Sequence, residues 1–511
     1  MMGSRRWTLA TGIGLATAWL HVAGSVAGAD VTLPRVFGSH MVLQQQMSLP
    51  VWGWADPGEA VTVTLGDHSV RGQADDQGRW KVRLPELPAG GPHEMTVSGK
   101  NTIRLTDVLV GEVWLCSGQS NMEWPVRQAD DAEKEIAAAD HSRIRLFQVR
   151  NTTSGLPLAD VDAEWQVCTP ETIRNFSAVG YYFGRALQQQ LDVPIGLINS
   201  SWGGTMIEPW TPPEGFAATP KLGEFVEVID EANRRYAEAL VPLLSPFEAW
   251  VRSARQAGSD GKPLPPMPAL PAHSLNDRTR PTGLYNAMIY PLMPFGLRGA
   301  IWYQGEANRG DGMLYHEKMK ALIGGWRQVW GQGDFPFYYV QLAPYRSGGD
   351  PTALPQIWEA QTATLSVPNT GMAVTVDIGN YRNIHPTNKQ EVGRRLSLWA
   401  LARTYGRDRI VYSGPLYESM STEDGRIRIR FDHVGGGLTS RDGEPLNFFE
   451  IAGQDKNFSA AEAKIDGDTV VVGSEQVTRP VAVRFGWHQR AAPNLMNKEG
   501  LPASPFRTDR W

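Results

Sequence analysis

The stretch GEVWLCSGQSNMEWPV, residues 111–126, decides how this chain is read. Val113, Trp114, Leu115 and Cys116 form an apolar run of the kind found in a buried strand. The run breaks at Ser117-Gly118-Gln119-Ser120-Asn121. A serine in a tight, glycine-bearing turn directly after such a strand is carried to the rim of a sheet. Its hydroxyl is exposed there, and its own N–H faces the same space. A serine in this position also serves as an ordinary turn residue or helix N-cap, and the surrounding residues are not the G-x-S-x-G elbow. The meaning of Ser120 therefore depends on what the rest of the chain brings to the same rim.

From Val108 onward, long apolar strands alternate with helices. DVLVGEVWLCSG reads as a strand, and NFSAVGYYFGRALQQQL as a helix with Val179, Phe183 and Leu187 on one face. VPIGLINSSWGG, LRGAIWYQGEAN, FPFYYVQLAPY and TGMAVTVDIG read as further strands. HPTNKQEVGRRLSLWALARTYG reads as a helix with Pro386 in its first turn and Gly406 as its stop. This alternation predicts an α/β core built on a parallel sheet with helices on both faces. In such sheets ligands sit beyond the carboxyl ends of the strands. Four turns lie at those ends: SGQSN with Ser120, SSWGGT with Gly203 and Gly204, WYQGEAN with Gln304, Glu306 and Asn308, and DIGNYRNIHP with Asp377 and His385.

Acyl transfer requires a nucleophilic hydroxyl, an imidazole base and donors aimed at the developing oxyanion. Ser120 is the candidate nucleophile. His385 is the candidate base by elimination among ten histidines, as the one that lies just beyond a strand end and just before a helix. His141 and His316 are expected on helices away from the strand ends, and His273 in a proline-rich insertion. Backbone N–H groups of Ser120 and Gly203 and the side-chain amide of Gln304 are the candidate oxyanion donors. Gly203 and Gly204 also suit an ordinary tight turn. Glu306 is open between orienting its loop, binding a sugar and supporting the histidine. The sequence carries no paired-cysteine or H-E-x-x-H metal signature and no nucleotide-binding glycine loop, so no metal or cofactor is expected.

The surroundings of this core read differently. Residues 30–107 alternate with period two between turn signals such as Asp56-Pro57-Gly58 and Asp76-Gln77-Gly78, which predicts a small antiparallel β-sandwich. The core is expected over 108–408, with an insertion at about 215–280 that holds a helix over 225–244 and a proline-rich loop. A second β-rich module is expected over 409–511. Residues 1–29, with Arg5 and Arg6, an apolar stretch and Ala27-Gly28-Ala29, read as a signal peptide for periplasmic or secreted export by a bacterium, through the Sec or the twin-arginine route. No other stretch is long and apolar enough for a membrane span. Of the 511 residues, 41% are hydrophobic and 20% charged, with a net charge of −5, which indicates globular domains and gives no reason to expect nucleic acid as a partner. Cys116 and Cys168 are the two cysteines, and either a disulfide or two buried thiols is compatible with the sequence. The 18 tryptophans divide between core filling and stacking on sugars, with Trp124, Trp202, Trp210 and Trp302 flanking the motif turns.

The stretches LPRVFGSHMVLQQ, VWGWADPGE, VGEVWLCSGQSNMEW, SSWGGTMIEPW, IWYQGEAN, DIGNYRNIHPTNKQEVGRRL and NLMNKEGLPASPFRTD resemble the sialate O-acetylesterase group of the SGNH (GDSL-type) hydrolases. The resemblance implies a three-layer SGNH core with β-rich accessory modules that hydrolyses acetyl esters on sugars without a cofactor. It implies Ser120 as nucleophile, His385 as base, and the Ser120 N–H, a glycine of the WGG turn and a polar side chain of the QGE loop as the oxyanion hole. One position departs from the SGNH pattern. The aspartate usually found three residues before the histidine is Arg382 here, so either Asp377 or Glu306 supports His385, or the site runs on a serine–histidine pair. The sugar stays open between sialic acid, whose carboxylate calls for an arginine, and acetylated plant polysaccharide such as xyloglucan, xylan or pectin. Trp124, Trp202, Trp210 and Trp302, at the turns, favour the plant polysaccharide, with Trp124, Trp202 and Asn308 as the candidate substrate-binding residues. A glycan-binding protein without catalysis and a serine peptidase or lipase are the competing readings.

Overall fold

The computed structural model describes residues 30–346 and 348–511, so the expected signal peptide lies outside the described residues. The core is a sheet of seven strands: β1 (Thr102–Gly118), β2 (His141–Gln148), β3 (Trp165–Cys168), β4 (Ile195–Ser201), β5 (Gly299–Tyr303), β6 (Phe337–Val340) and β7 (Thr370–Ala373). They lie in the order β7-β6-β5-β1-β4-β2-β3. All neighbours are parallel except β2 with β3. Because β1 is central, the Ser120 turn at its carboxyl end lies between the ends of β4 and β5. The predicted α/β class is the observed one.

Helices cover both faces. Helix α1 (Ser120–Glu123) follows β1 directly, and α2 (Ala178–Leu191) is N-capped by Ser177, whose Oγ accepts the Gly180 N–H at 3.0 Å. Helix α3 (Leu314–Trp330) covers the opposite face, where Trp326 meets Trp302 edge-on at 5.9 Å. Helix α4 (Ala353–Ala363) precedes β7, and α5 (Lys389–Trp399) packs against α2. Two sequence expectations shift here. Asn388 rather than Pro386 begins α5, its Oδ1 accepting the Glu391 N–H at 3.1 Å. His141 opens strand β2 rather than sitting on a helix, while His316 is on α3 as expected.

The first β-module and the core share one hydrophobic cluster that runs from Val31 to Leu401. The physical reason is β1 itself. It is 17 residues long; its first half pairs with Gly90–Ser98 of the module, and its second half is the centre of the parallel sheet. The expected boundary at 107/108 therefore falls within a continuous strand. The carboxyl-terminal module has its own core, in which Ile427, Ile429, Val470 and Val472 meet Phe449, Ile451, Val483 and Phe485 from two antiparallel four-stranded sheets. The insertion folds as helices Gly223–Leu240 and Leu244–Ser259, anchored by a small cluster that includes Phe216, Leu222 and Ile229. Cys116 and Cys168 are separate buried thiols, both with pKa values raised by burial. Among the described residues no helix is long and apolar enough to cross a membrane.

Candidate active site

Strand β1 ends in Gly118, whose φ of +139° and close approach to β5 exclude a side chain: a Cβ there would lie 2.2 Å from the Tyr303 carbonyl oxygen. The Gln119 N–H then donates to that carbonyl at 2.9 Å. This tight splice starts α1 at Ser120. Met122 and Glu123 return their N–H groups to the Gln119 carbonyl, so the N–H groups of Ser120 and Asn121 are the ones without an intrahelical partner. They sit at the positive end of a short helix, beside the Ser120 hydroxyl.

His385 Nε2 lies 2.8 Å from Ser120 Oγ. The imidazole is stacked on Trp124, with ring centroids 4.7 Å apart and planes inclined by 22°. Its backbone N–H donates to Asn383 Oδ1 at 2.9 Å, an Asx turn that shapes the loop ahead of α5. Burial, aided by the nearby Lys389 ammonium, holds the His385 pKa below the ordinary imidazole value. A neutral ring is the state in which Nε2 can accept the serine proton. Ser120 and His385, predicted from separate turns, are thus brought together.

Among the described residues no carboxylate hydrogen-bonds His385. Asp377 is not available to it, because both its oxygens bind the Arg395 guanidinium at 2.7 Å. Glu306 reaches Asn121 instead: its Oε1 accepts the Asn121 Nδ2 at 2.5 Å, and its buried Oε2 has no partner. Burial raises the Glu306 pKa. Arg382, at the position of the usual aspartate, is exposed.

The expected oxyanion donors separate. Gly203 lies against the nucleophile, since a Cβ on it would be 3.2 Å from Ser120 Cβ, but its N–H donates to Glu123 Oε2 at 2.7 Å. The Gln304 side chain is turned away into the protein. Its amide donates to the Thr205 carbonyl at 3.1 Å and Asn308 Oδ1 at 2.7 Å, and its oxygen accepts from Tyr315 at 2.8 Å. Every polar atom of that side chain is satisfied by Thr205, Asn308 and Tyr315, so it does not face Ser120. Asn308 is likewise buried, accepting the Ile207 N–H at 3.0 Å and donating to Glu208 and Asp311. It clasps two loops and has no surface for a sugar. Trp210 and Trp302 are fully buried core residues, whereas Trp124 and Trp202 are half-buried at the rim. Beyond Glu123 a polar cleft of about 710 Å³ opens, lined by Gln148, Arg150, Asn151 and Asp162 among others.

Three residues at the site were not singled out from sequence: Asn121, Glu123 and Lys389. The signal for Lys389 was present. A lysine in the first turn of a helix carries the wrong charge for the helix dipole, which asks for a reason. Among the described residues no group of three His, Cys, Asp or Glu side chains is placed to hold a metal ion.

Comparison with known proteins gives the family of the chain. The family described as carbohydrate esterase, sialic acid-specific acetylesterase, matches residues 110–242 and 269–401, which leaves the central part of the insertion as an addition. Sialate O-acetylesterase of Mus musculus is 34% identical over 80% of both chains, and that of Homo sapiens 33% identical over 80% of this chain and 77% of its own. The crystal structure of a carbohydrate acetylesterase from Xanthomonas citri superposes with a TM-score of 0.80 at 39% identity, covering 94% of this chain and all of that one. The family match over residues 110–242 and 269–401, which include Ser120 and His385, together with these identities, makes the chain a member of the sialic acid-specific acetylesterase family of carbohydrate esterases.

Proposed function

We propose that this carbohydrate O-acetylesterase works through an acetyl-enzyme on Ser120, and that its substrate is an acetylated plant cell-wall polysaccharide of the xyloglucan or xylan type. The observation that carries the mechanism is the 2.8 Å contact between Ser120 Oγ and His385 Nε2. Ser120 Oγ attacks the acetyl carbonyl carbon while His385 takes its proton. The C–O bond to the sugar breaks, and the sugar oxygen leaves with the proton from His385. Water, deprotonated by the same imidazole, then releases acetate and restores the serine. The N–H groups at the start of α1 stabilise the oxyanion. Gly203 adds a donor when the ester carbonyl displaces the Glu123 carboxylate from it. His385 works without a carboxylate partner, its ring fixed by Trp124 and the Asn383 turn.

For the sugar, the half-buried Trp124 and Trp202 offer apolar faces, and the polar cleft beyond Glu123 offers room for neighbouring sugar units. A second reading, O-acetyl sialate, is favoured by the relatives named for it and by Arg278, whose guanidinium lies 5.8 Å from the Trp202 ring centroid, where a sugar carboxylate would meet it. Residues 1–29 act as an export signal in this reading, so N-terminal sequencing of secreted protein should begin at Asp30.

Acetate release by wild type and Ser120→Ala on acetylated xyloglucan, xylan, pectin and O-acetyl sialosides tests the proposal. Release from the plant polymers that is lost in the variant supports it. Release confined to the sialosides moves the substrate to the second reading, and full activity of Ser120→Ala removes the mechanism.

A further inference from the structure

We propose that Asn121 and Lys389 form a positioning latch, in which Lys389 fixes the Asn121 amide and that amide ties the nucleophile's helix to the loop of the base. The inference rests on the Ser120–His385 mechanism above and adds two residues to it.

Asn121 directly follows Ser120, and Ile384 directly precedes His385. The buried Asn121 side chain joins the two: its Nδ2 donates to the Ile384 carbonyl at 3.0 Å and to Glu306 Oε1 at 2.5 Å, while its Oδ1 accepts from Lys389 Nζ. These partners leave one orientation for the amide. An ammonium only donates, and a carbonyl and a carboxylate only accept. The three partners together fix which way the amide faces, and Lys389 is the one that holds its oxygen side, so that the tie to Ile384 is clamped from both ends.

Lys389 is fully buried, 0% exposed. Its Nζ lies 5.1 Å from the Tyr303 ring centroid and 5.9 Å from that of Trp124, the ring on which His385 stacks. No carboxylate is within ion-pair distance of it among the described residues; Glu306 is hydrogen-bonded to it only through Asn121 and opposes its desolvation weakly, through space. Burial accordingly brings its pKa down to about 7. A lysine kept without a contacting counter-ion, at the start of a helix where the dipole opposes it, does not serve stability. Its position under both catalytic supports gives it another use. The titratable groups that face it are Glu306 from the loop after β5, Tyr303 on β5 itself and His385 ahead of α5. Its charge opposes protonation of His385, which extends the working range of the base toward acid.

The test uses the full chain with 4-nitrophenyl acetate as probe and compares Lys389→Met, Asn121→Ala and the double variant across pH. Each single variant should lose about tenfold or more in kcat with KM within about twofold, and the double variant should be no slower than the slower single one, because both remove one device. The acid limb of kcat/KM should move to higher pH in Lys389→Met and stay in place in Asn121→Ala. Should Lys389→Met fail to fold, Asn121→Ser carries the kcat test. Wild-type kcat in the single variants, or losses that multiply in the double, would overturn the latch. Ser120→Ala in parallel separates the two ideas: full activity there removes the underlying mechanism, whereas an inactive Ser120→Ala beside a fully active Lys389→Met removes the latch alone.

Discussion

Two lysines are buried near the carboxyl ends of the strands, and they live under opposite electrostatics. Lys318, 4% exposed on α3, lies 2.6 Å from Glu208 and 2.6 Å from Asp311. Its pKa is raised despite the burial, because the two carboxylates outweigh it. Lys389 meets a neutral amide instead, and its pKa falls to about 7. Lys318 anchors the loop that carries Asn308 and Gln304, well satisfied and away from the nucleophile. Lys389 is left poorly compensated beside Ser120 and His385. In this fold, satisfied charge holds the scaffold, and poorly compensated charge lies beside the reacting groups.

The comparison breaks most visibly at Lys318. Lys318→Met leaves the buried Glu208 and the half-buried Asp311 without their cation and should cost about 3 kcal/mol of stability, read as a fall in Tm, with kcat of the folded enzyme within about threefold of wild type. If stability were unchanged and kcat collapsed, the assignment of the two lysines would be reversed. Gly203→Ala should show the opposite pattern. The added Cβ would lie 2.8 Å from Glu123 Oε2 and 3.2 Å from Ser120 Cβ, so kcat should fall about a hundredfold, the scale of one lost oxyanion donor, with little change in Tm.

A smaller effect sharpens the contrast through pH. The unfolded chain holds the Lys389 proton up to about pH 10.4 and the folded protein only to about 7. Between those values the unfolded state binds more protons, so stability conferred by this residue rises with pH. Urea unfolding should show wild type gaining on Lys389→Met by about 1 kcal/mol per pH unit between pH 7 and 9; a flat difference would place an uncompensated cation elsewhere. The smallest effect is kinetic: the acid limb of wild-type kcat/KM should lie below about pH 6.5, because the His385 pKa is lowered.

Sequence alone was informative where a backbone pattern does the work. The apolar run into Ser117-Gly118 dictates a strand that ends in a turn, and Gly118 at φ +139° is the residue that allows it. His385 was reachable because its neighbours define a loop between a strand and a helix. The failures concern which way a side chain faces after a strand has ended. Gln304 and Asn308 sit in a turn at the rim, yet Gly305 at φ +147° breaks the strand's alternation and both amides fold inward. Asp377 looked free because its partner, Arg395, arrives from the second turn of a helix 18 residues later. Trp210 and Trp302 flank motif turns in sequence but point into the packed face under α3. Such contacts are tertiary and leave no periodic trace.

The central claim is that Ser120 carries the acetyl group. The most direct measurement is an acid quench of wild-type enzyme mixed with excess 4-nitrophenyl acetate, followed by proteolysis and mass spectrometry. The wild-type enzyme should give an initial burst of 4-nitrophenol and one added acetyl group on the peptide that contains Ser120, both absent in Ser120→Ala. Acetylation of a different residue during turnover, with hydrolysis persisting in Ser120→Ala, would contradict that claim.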